Sequence, residues 1–209
     1  LLDATGNEDI PSSVSSIRTT GLHRTSSEIK AMNQLHEQVW GGILYYTGTH
    51  FSTGTAIITS QFDKPLVPPI RAYNQYKFSG RALTNLSWFG QYHLDNFSIF
   101  AEVAKSINAG LGLTAGLIGQ VSKYIGLSLS YRSLAKDFHS LYGQTFTERS
   151  TIGNESGIYW GIKIYPTDKL TISAYYDLYR FPWLTFNTAA PANGDDALLR
   201  TEYKFNKLI

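Results

Sequence analysis

The sequence contains no cysteine, so it has neither a disulfide framework nor a thiolate metal site, and cysteine usage says nothing of its redox compartment. Charge is sparse as well. Asp, Glu, Lys and Arg make up 16% of the 209 residues, against roughly a quarter in ordinary soluble domains. The formal net charge of +2 comes from scattered basic residues and gives no basis for binding nucleic acid or an acidic substrate. No apolar run approaches the roughly 18 to 20 residues of a membrane-spanning helix. No signal peptide opens the chain at Leu1, which fits either a cytoplasmic protein or a chain whose start has been removed. The patterning below favours removal. The histidines, His23, His36, His50, His93 and His139, lack zinc-type spacing, so no metal and no cofactor is expected.

What is present is polar without being charged. Aromatic residues reach 14%, and Tyr alone supplies 14 of them. The dominant signal is two-residue alternation over segments of about ten residues, the period of a strand with two unlike faces. Leu111, Leu113, Ala115, Leu117 and Val121 alternate with Gly112, Thr114, Gly116, Ile118 and Gln120. After Ser122 and Lys123, Ile125, Leu127, Leu129 and Tyr131 alternate with Gly126, Ser128, Ser130 and Arg132, which makes a hairpin. A second hairpin joins the segment Ile158, Trp160, Ile162, Ile164 to the segment Leu170, Ile172, Ala174, Tyr176, Leu178. Weaker alternation covers residues 38–47, 50–60, 82–92 and 97–103, and a last segment runs through Ala197, Leu199, Thr201, Tyr203 and Phe205.

Connection lengths alternate as well. Short turns fall near 48–49, 93–96, 122–123, 166–169 and 206–207, whereas long connections fall near 61–74, 133–156 and 181–195, with only 106–110 brief for its side. Outer-membrane barrels place short turns on the periplasmic side and long loops outside. Tyr131, Trp160, Tyr176 and Tyr203 on the greasy face suit the lipid headgroup level. The expected fold is therefore all-β: an antiparallel up-and-down transmembrane β-barrel in the outer membrane of a Gram-negative-type bacterium. Its strands occupy 38–209, preceded by an external loop, 1–37, that carries a short helix. Nine strands are counted, and Leu208 and Ile209 begin a tenth after a turn at Asn206 and Lys207. Single-chain barrels usually close on an even number, so the barrel is expected to be incomplete at both ends, its missing strands coming from the rest of a longer chain.

Thr25 followed by Glu28 has capping-box spacing, which predicts a helix over 26–35. The inward-facing charges Glu102, Arg132, Lys163, Asp177, Arg200 and Glu202 are candidates to line or plug a lumen. Both signs occur, so mutual pairing is the favoured reading over solute selection. Ser140 beside His139 is the nearest approach to a hydrolase site, but neighbours on an alternating chain point apart, so no enzyme is expected. Aromatics in the segment Phe181, Pro182, Trp183, Leu184 are expected to pack at the rim or to meet a partner.

Several pieces resemble a family of large Bacteroidetes outer-membrane barrels described as helix-hairpin-helix or competence-like proteins. These pieces are His23, Arg24, Thr25 and Glu28; Phe100 with Glu102; Tyr131 with Arg132; and Phe146 with Glu148. Asn154, Glu155 and Gly157 follow, and then Phe181, Pro182, Trp183 and Leu184, leading to Leu199 and Tyr203. The resemblance implies a longer protein with a periplasmic helix-hairpin-helix region. The glycine pattern of that region is absent here, so no nucleic-acid contact is carried onto these residues. The expected function is non-enzymatic: a channel, conduit or membrane anchor whose partners are outer-membrane lipid and other envelope proteins. The alternatives are a subunit of a secretion or DNA-uptake assembly and, less favoured, a barrel-borne hydrolase.

Overall fold

The computed structural model describes residues 1–8, 10, 12–186 and 188–205. Its elements run β1 (Asp3–Gly6), β2 (Val14–Arg18), α1 (Ser26–Ala31), β3 (Glu37–Thr47), β4 (Phe51–Leu66), β5 (Gly80–Leu94), β6 (Phe97–Ser106), β7 (Leu111–Ser122), β8 (Ile125–Leu134), β9 (Glu155–Thr167), β10 (Leu170–Phe181) and β11 (Ala192–Tyr203). All eleven strands belong to one sheet. From β3 to β11 each strand pairs antiparallel with the next in sequence, in unbroken meander order. The sheet is not closed: among the described residues β3 and β11 pair only with β4 and β10.

These nine strands coincide with the segments that alternation marks out, because strict alternation forces a strand to present one greasy and one polar face. Register carries each face across the sheet. Leu117, Leu129, Trp160, Tyr176 and Ala197 form one row of the outer face, and Gly116, Ser130, Tyr159, Asp177 and Asp196 form a row of the inner face. The turns 48–50, 95–96, 123–124 and 168–169 gather at one end of the sheet, and the short turn 107–110 lies at the opposite one. The connections 67–79, 135–154 and 182–191 gather at that opposite end too. The proposed tenth strand at Leu208 and Ile209, with its turn at Asn206 and Lys207, lies outside the described residues.

Two departures occur before residue 37. The helix stops at Ala31 rather than running to 35, because Met32 is extended and Asn33 takes a left-handed φ of 55°. This turn frees Leu35 to bridge Leu2, and Leu35 becomes fully buried. The segment is also more than a loop with a helix. β1 and β2 form a hairpin, and Val14 of β2 pairs parallel with Leu66 at the far end of β4. Ala4, Val14, Leu35, Phe62 and Leu66 form the apolar core beneath it, joined by Leu2, Ile17 and Phe78. Strands of four and five residues are too short for alternation to stand out from chance. β4 itself runs past residue 60 to Leu66, since this core rewards its extension.

Candidate functional site

The inner face of β8, β9 and β10 carries a buried ionic cluster beneath the loop 135–154. Arg132 Nε donates to Glu155 Oε1 at 2.6 Å, while Nη1 and Nη2 donate to the two oxygens of Asp177 at 2.9 Å each. The two-pronged geometry is that of a guanidinium matched to a carboxylate. All three side chains are at most 1% exposed. Charge at that depth survives only if it is paired and hydrogen-bonded. Here the backbone N–H of Glu148 adds further donation to both oxygens of Glu155, at 3.1 and 3.2 Å.

Local sequence explains how so large a side chain fits. Arg132 pairs in register with Gly157, and a Cβ there would lie 2.6 Å from the guanidinium carbon. The guanidinium therefore lies across bare backbone. From the loop side the Phe146 ring covers it, 5.0 Å from centroid to guanidinium carbon, a contact favourable to a cation. Phe146 stands edge-on to Tyr159, which in turn neighbours Tyr175. Glu148 sits close by in the loop. Partial burial and the Asp177 and Glu155 carboxylates raise its pKa above the usual carboxylate range, with Arg132 opposing.

Other contacts fasten the loop end. Asn154 grips Trp183 in both directions, accepting from its backbone N–H at 2.7 Å and donating to its carbonyl at 3.0 Å. Trp183 Nε1 donates to the Ala72 carbonyl at 3.0 Å, and its ring packs edge-on to Tyr76. Lys136 lies 4.0 Å from the Tyr76 centroid and 5.2 Å from that of Trp183. β4 and β10 are six strand spacings apart, about 29 Å in a flat sheet, yet the loops that follow them meet here. On the β3 side, the Tyr142 hydroxyl donates to Glu37. Burial and that carboxylate push the Tyr142 pKa up to about 12. Ser106, wholly buried on β6, donates to the His139 carbonyl at 2.7 Å and accepts from its N–H at 3.0 Å.

The six charges predicted for one face do share it by register, but they do not form one site. Arg132 and Asp177 meet in the buried cluster. Arg200 and Glu202 pair with each other at 2.6 Å on exposed β11. Lys163 extends over the Tyr165 ring, and Glu102 faces open space beneath the loop. The loop-motif residues separate in the same way. Glu155 belongs to the cluster and its neighbour Asn154 holds Trp183, while Pro182 is exposed just past the end of β10.

His23, Arg24, Thr25 and Glu28 instead organise the start of α1. Glu28 accepts from the backbone N–H groups of Arg24 and Thr25, at 2.7 and 3.0 Å. These two donors hold its carboxyl below the usual range. His23 Nε2 contacts Asp3 at 2.6 Å, and Asp3 is lowered by the Asn33 N–H first and by His23 second. Among the described residues no hydrogen bond joins the His139 ring to Ser140. Ser140 Oγ accepts from Gly143 N, and the His139 ring lies against Phe78.

Sequence reasoning missed Glu155 as the partner of Arg132, having placed it only in a loop motif. The available signal was its position: Glu155 opens β9 on the same parity as Gly157 and Tyr159. The roles of Phe146 and Glu148 carried no such signal, because loop residues have no periodicity to place them. No protein-family model matches the chain, and no curated protein matches it in sequence.

Proposed function

We propose that this sheet is the wall of an outer-membrane β-barrel, non-enzymatic, whose lumen is occupied by the loop 135–154, so that the protein acts as a gated conduit or a plugged membrane anchor. The observation that carries this reading is the outer face. Leu44, Leu86, Trp88, Leu129, Trp160 and Leu199 are all exposed on it, across strands from β3 to β11. At about 4.8 Å per strand that face is roughly 40 Å wide. Soluble monomers rarely expose apolar patches beyond a few hundred Å². The strands from β3 to β11 hold 10 to 16 residues, enough for the roughly 9 to 11 that a tilted membrane strand needs. The opposite face mixes polar residues such as Ser128, Ser130, Thr114, Lys163 and Arg200 with aromatics, and a lumen is polar.

A membrane-inserted sheet tolerates no bare edge, because unpaired backbone groups in hydrocarbon cost several kcal/mol each by rough estimate. The proposal therefore includes further strands along β3 and β11. The likeness to the Bacteroidetes barrels belongs to the same proposal. A second reading, a subunit of an envelope assembly that binds partners through its loops, is favoured by Ile70 and Phe186. Both stand exposed in the long connections.

The test is planar-bilayer conductance of the protein refolded in detergent, with barrel content checked by circular dichroism. Stable ohmic steps support a conduit, and no conductance from folded protein supports the plugged anchor. Failure to partition into vesicles at all overturns the membrane reading.

A further inference from the structure

Most of the inner face is neutralised or covered, but one carboxylate is neither. Glu102 on β6 lies between Phe89 and Thr114 in register, two strand spacings short of Arg132. It lines two adjoining cavities beneath the loop 135–154, of about 550 and about 440 Å³. Among the described residues, no Lys or Arg borders either cavity and Glu102 is the one charged residue that does. Arg132 forms its ion pairs with Glu155 and Asp177, and among the described residues none with Glu102.

The larger cavity mixes hydroxyl and amide side chains with aromatic walls that suit an apolar body. Phe100 comes from the same strand as Glu102, Phe89 from the neighbouring β5, Tyr45 from β3, and Phe146 from the loop above. Two of these rings lie along the sheet rather than filling the space. A Cβ on Gly116 would meet Phe100 Cζ at 2.4 Å, and one on Gly54 would meet Phe89 Cζ at 2.7 Å. Each ring thus lies across the bare backbone of a facing glycine, which leaves room above it. Tyr45 and Phe89 are stacked, with centroids 5.9 Å apart. Aromatic rings around a single anionic group are the chemistry that selects an organic ammonium: the rings attract the cation and shed its water, and the carboxylate neutralises it. A bare metal ion would need more oxygen ligands than one carboxylate supplies. Among the described residues, no group of three or more metal-ligating side chains occurs.

We propose that the space between the loop 135–154 and the inner face of β5, β6 and β7 binds a small organic cation with an apolar body, with Glu102 as its counter-charge and Phe89, Phe100 and Phe146 as its walls. The site is made by the inner face and the loop alone, so it stands whether or not the outer face meets lipid.

The test is equilibrium binding of benzyltrimethylammonium to the intact protein in detergent, by titration calorimetry, with benzyl alcohol and benzoate as neutral and anionic comparisons. The ammonium probe is expected to bind best, and the Glu102→Gln variant to weaken it about tenfold or more, the loss expected of one ion contact in a partly desolvated site. Phe146→Ala is expected to weaken all three probes, the ammonium most. Circular dichroism checks that each variant keeps its strand content. No binding of the ammonium probe to the natural sequence overturns the proposal. Equal binding of benzoate does so too, as does undiminished ammonium binding in a folded Glu102→Gln protein.

Discussion

Two ion pairs on the same face of the sheet follow different physics. Arg132 with Glu155 and Asp177 lies on interior strands of the sheet, under a loop, with every side chain at most 1% exposed. Arg200 with Glu202 lies on the edge strand at a shorter N–O distance than the Arg132–Asp177 contact, but its side chains are 65% and 49% exposed. Distance alone would rank the edge pair level with the buried one. Solvent reverses that ranking: water screens the edge pair, while the buried pair has no substitute for either partner if one is lost. The face is therefore rigid where the loop covers it and adaptable at its border.

The sharpest way to break the comparison is to remove one charge from each pair. Arg132→Ala leaves two buried carboxylates unmatched and is expected to cost about 3 to 5 kcal/mol. Glu202→Ala is expected to cost no more than about 1 kcal/mol. Denaturant unfolding of the refolded protein in detergent reads both, and similar values for the two variants would refute the contrast.

A second test sets the two faces against each other rather than interior against edge. Leu129 and Ser128 are neighbours on β8 that point to the outer and inner face. Leu129→Arg is expected to cost about 2 to 4 kcal/mol of folding into bilayers, the range for a cation at mid-membrane, whereas Ser128→Arg is expected to be far milder. The readout is the folded fraction on insertion into vesicles, and a reversed order would contradict the assignment of faces.

The smallest effect concerns how firmly the loop is held over the interior strands. Glu148 has a raised pKa because burial and the Asp177 and Glu155 carboxylates disfavour its anion, Arg132 only partly offsetting them. The acid form is the one the folded loop favours. The stabilisation is full below the ordinary carboxylate pKa and is lost as pH rises through the raised folded value. Amide exchange across residues 141–152 is expected to quicken with rising pH through that range. Glu148→Gln, a mimic of the acid form, is expected to flatten the dependence. Unchanged pH dependence in that variant would assign the effect to another group.

These contrasts were unequally legible in the sequence. Alternation placed all nine long strands and assigned Arg132, Asp177 and Glu102 to one face, because a period of two is a direct print of strand geometry. It could not say that Arg132 meets Glu155 and Asp177 while Glu102 meets no cation. Those partners sit 23 and 45 residues away in sequence, and parity reports a side, not a distance. The first two strands escaped for the opposite reason: they are too short for a period and are held by the core around Leu35. The helix was legible at its start, where Thr25 and Glu28 cap it, and not at its end, which the Leu2 to Leu35 bridge decides.

The length of β4 has a consequence for the order of assembly. One stretch of this strand serves β3 and β5, and its last residue serves β2. The meander strands pair with their sequence neighbours, so even the 67–79 connection from β4 to β5 closes at a modest entropic cost that local contacts meet early. The docking of β2 needs Leu66 already fixed, so it waits for β4 to be stretched out by β5. The segment before β3 is thus among the last to find its place. β4 acts as the template that holds that place open.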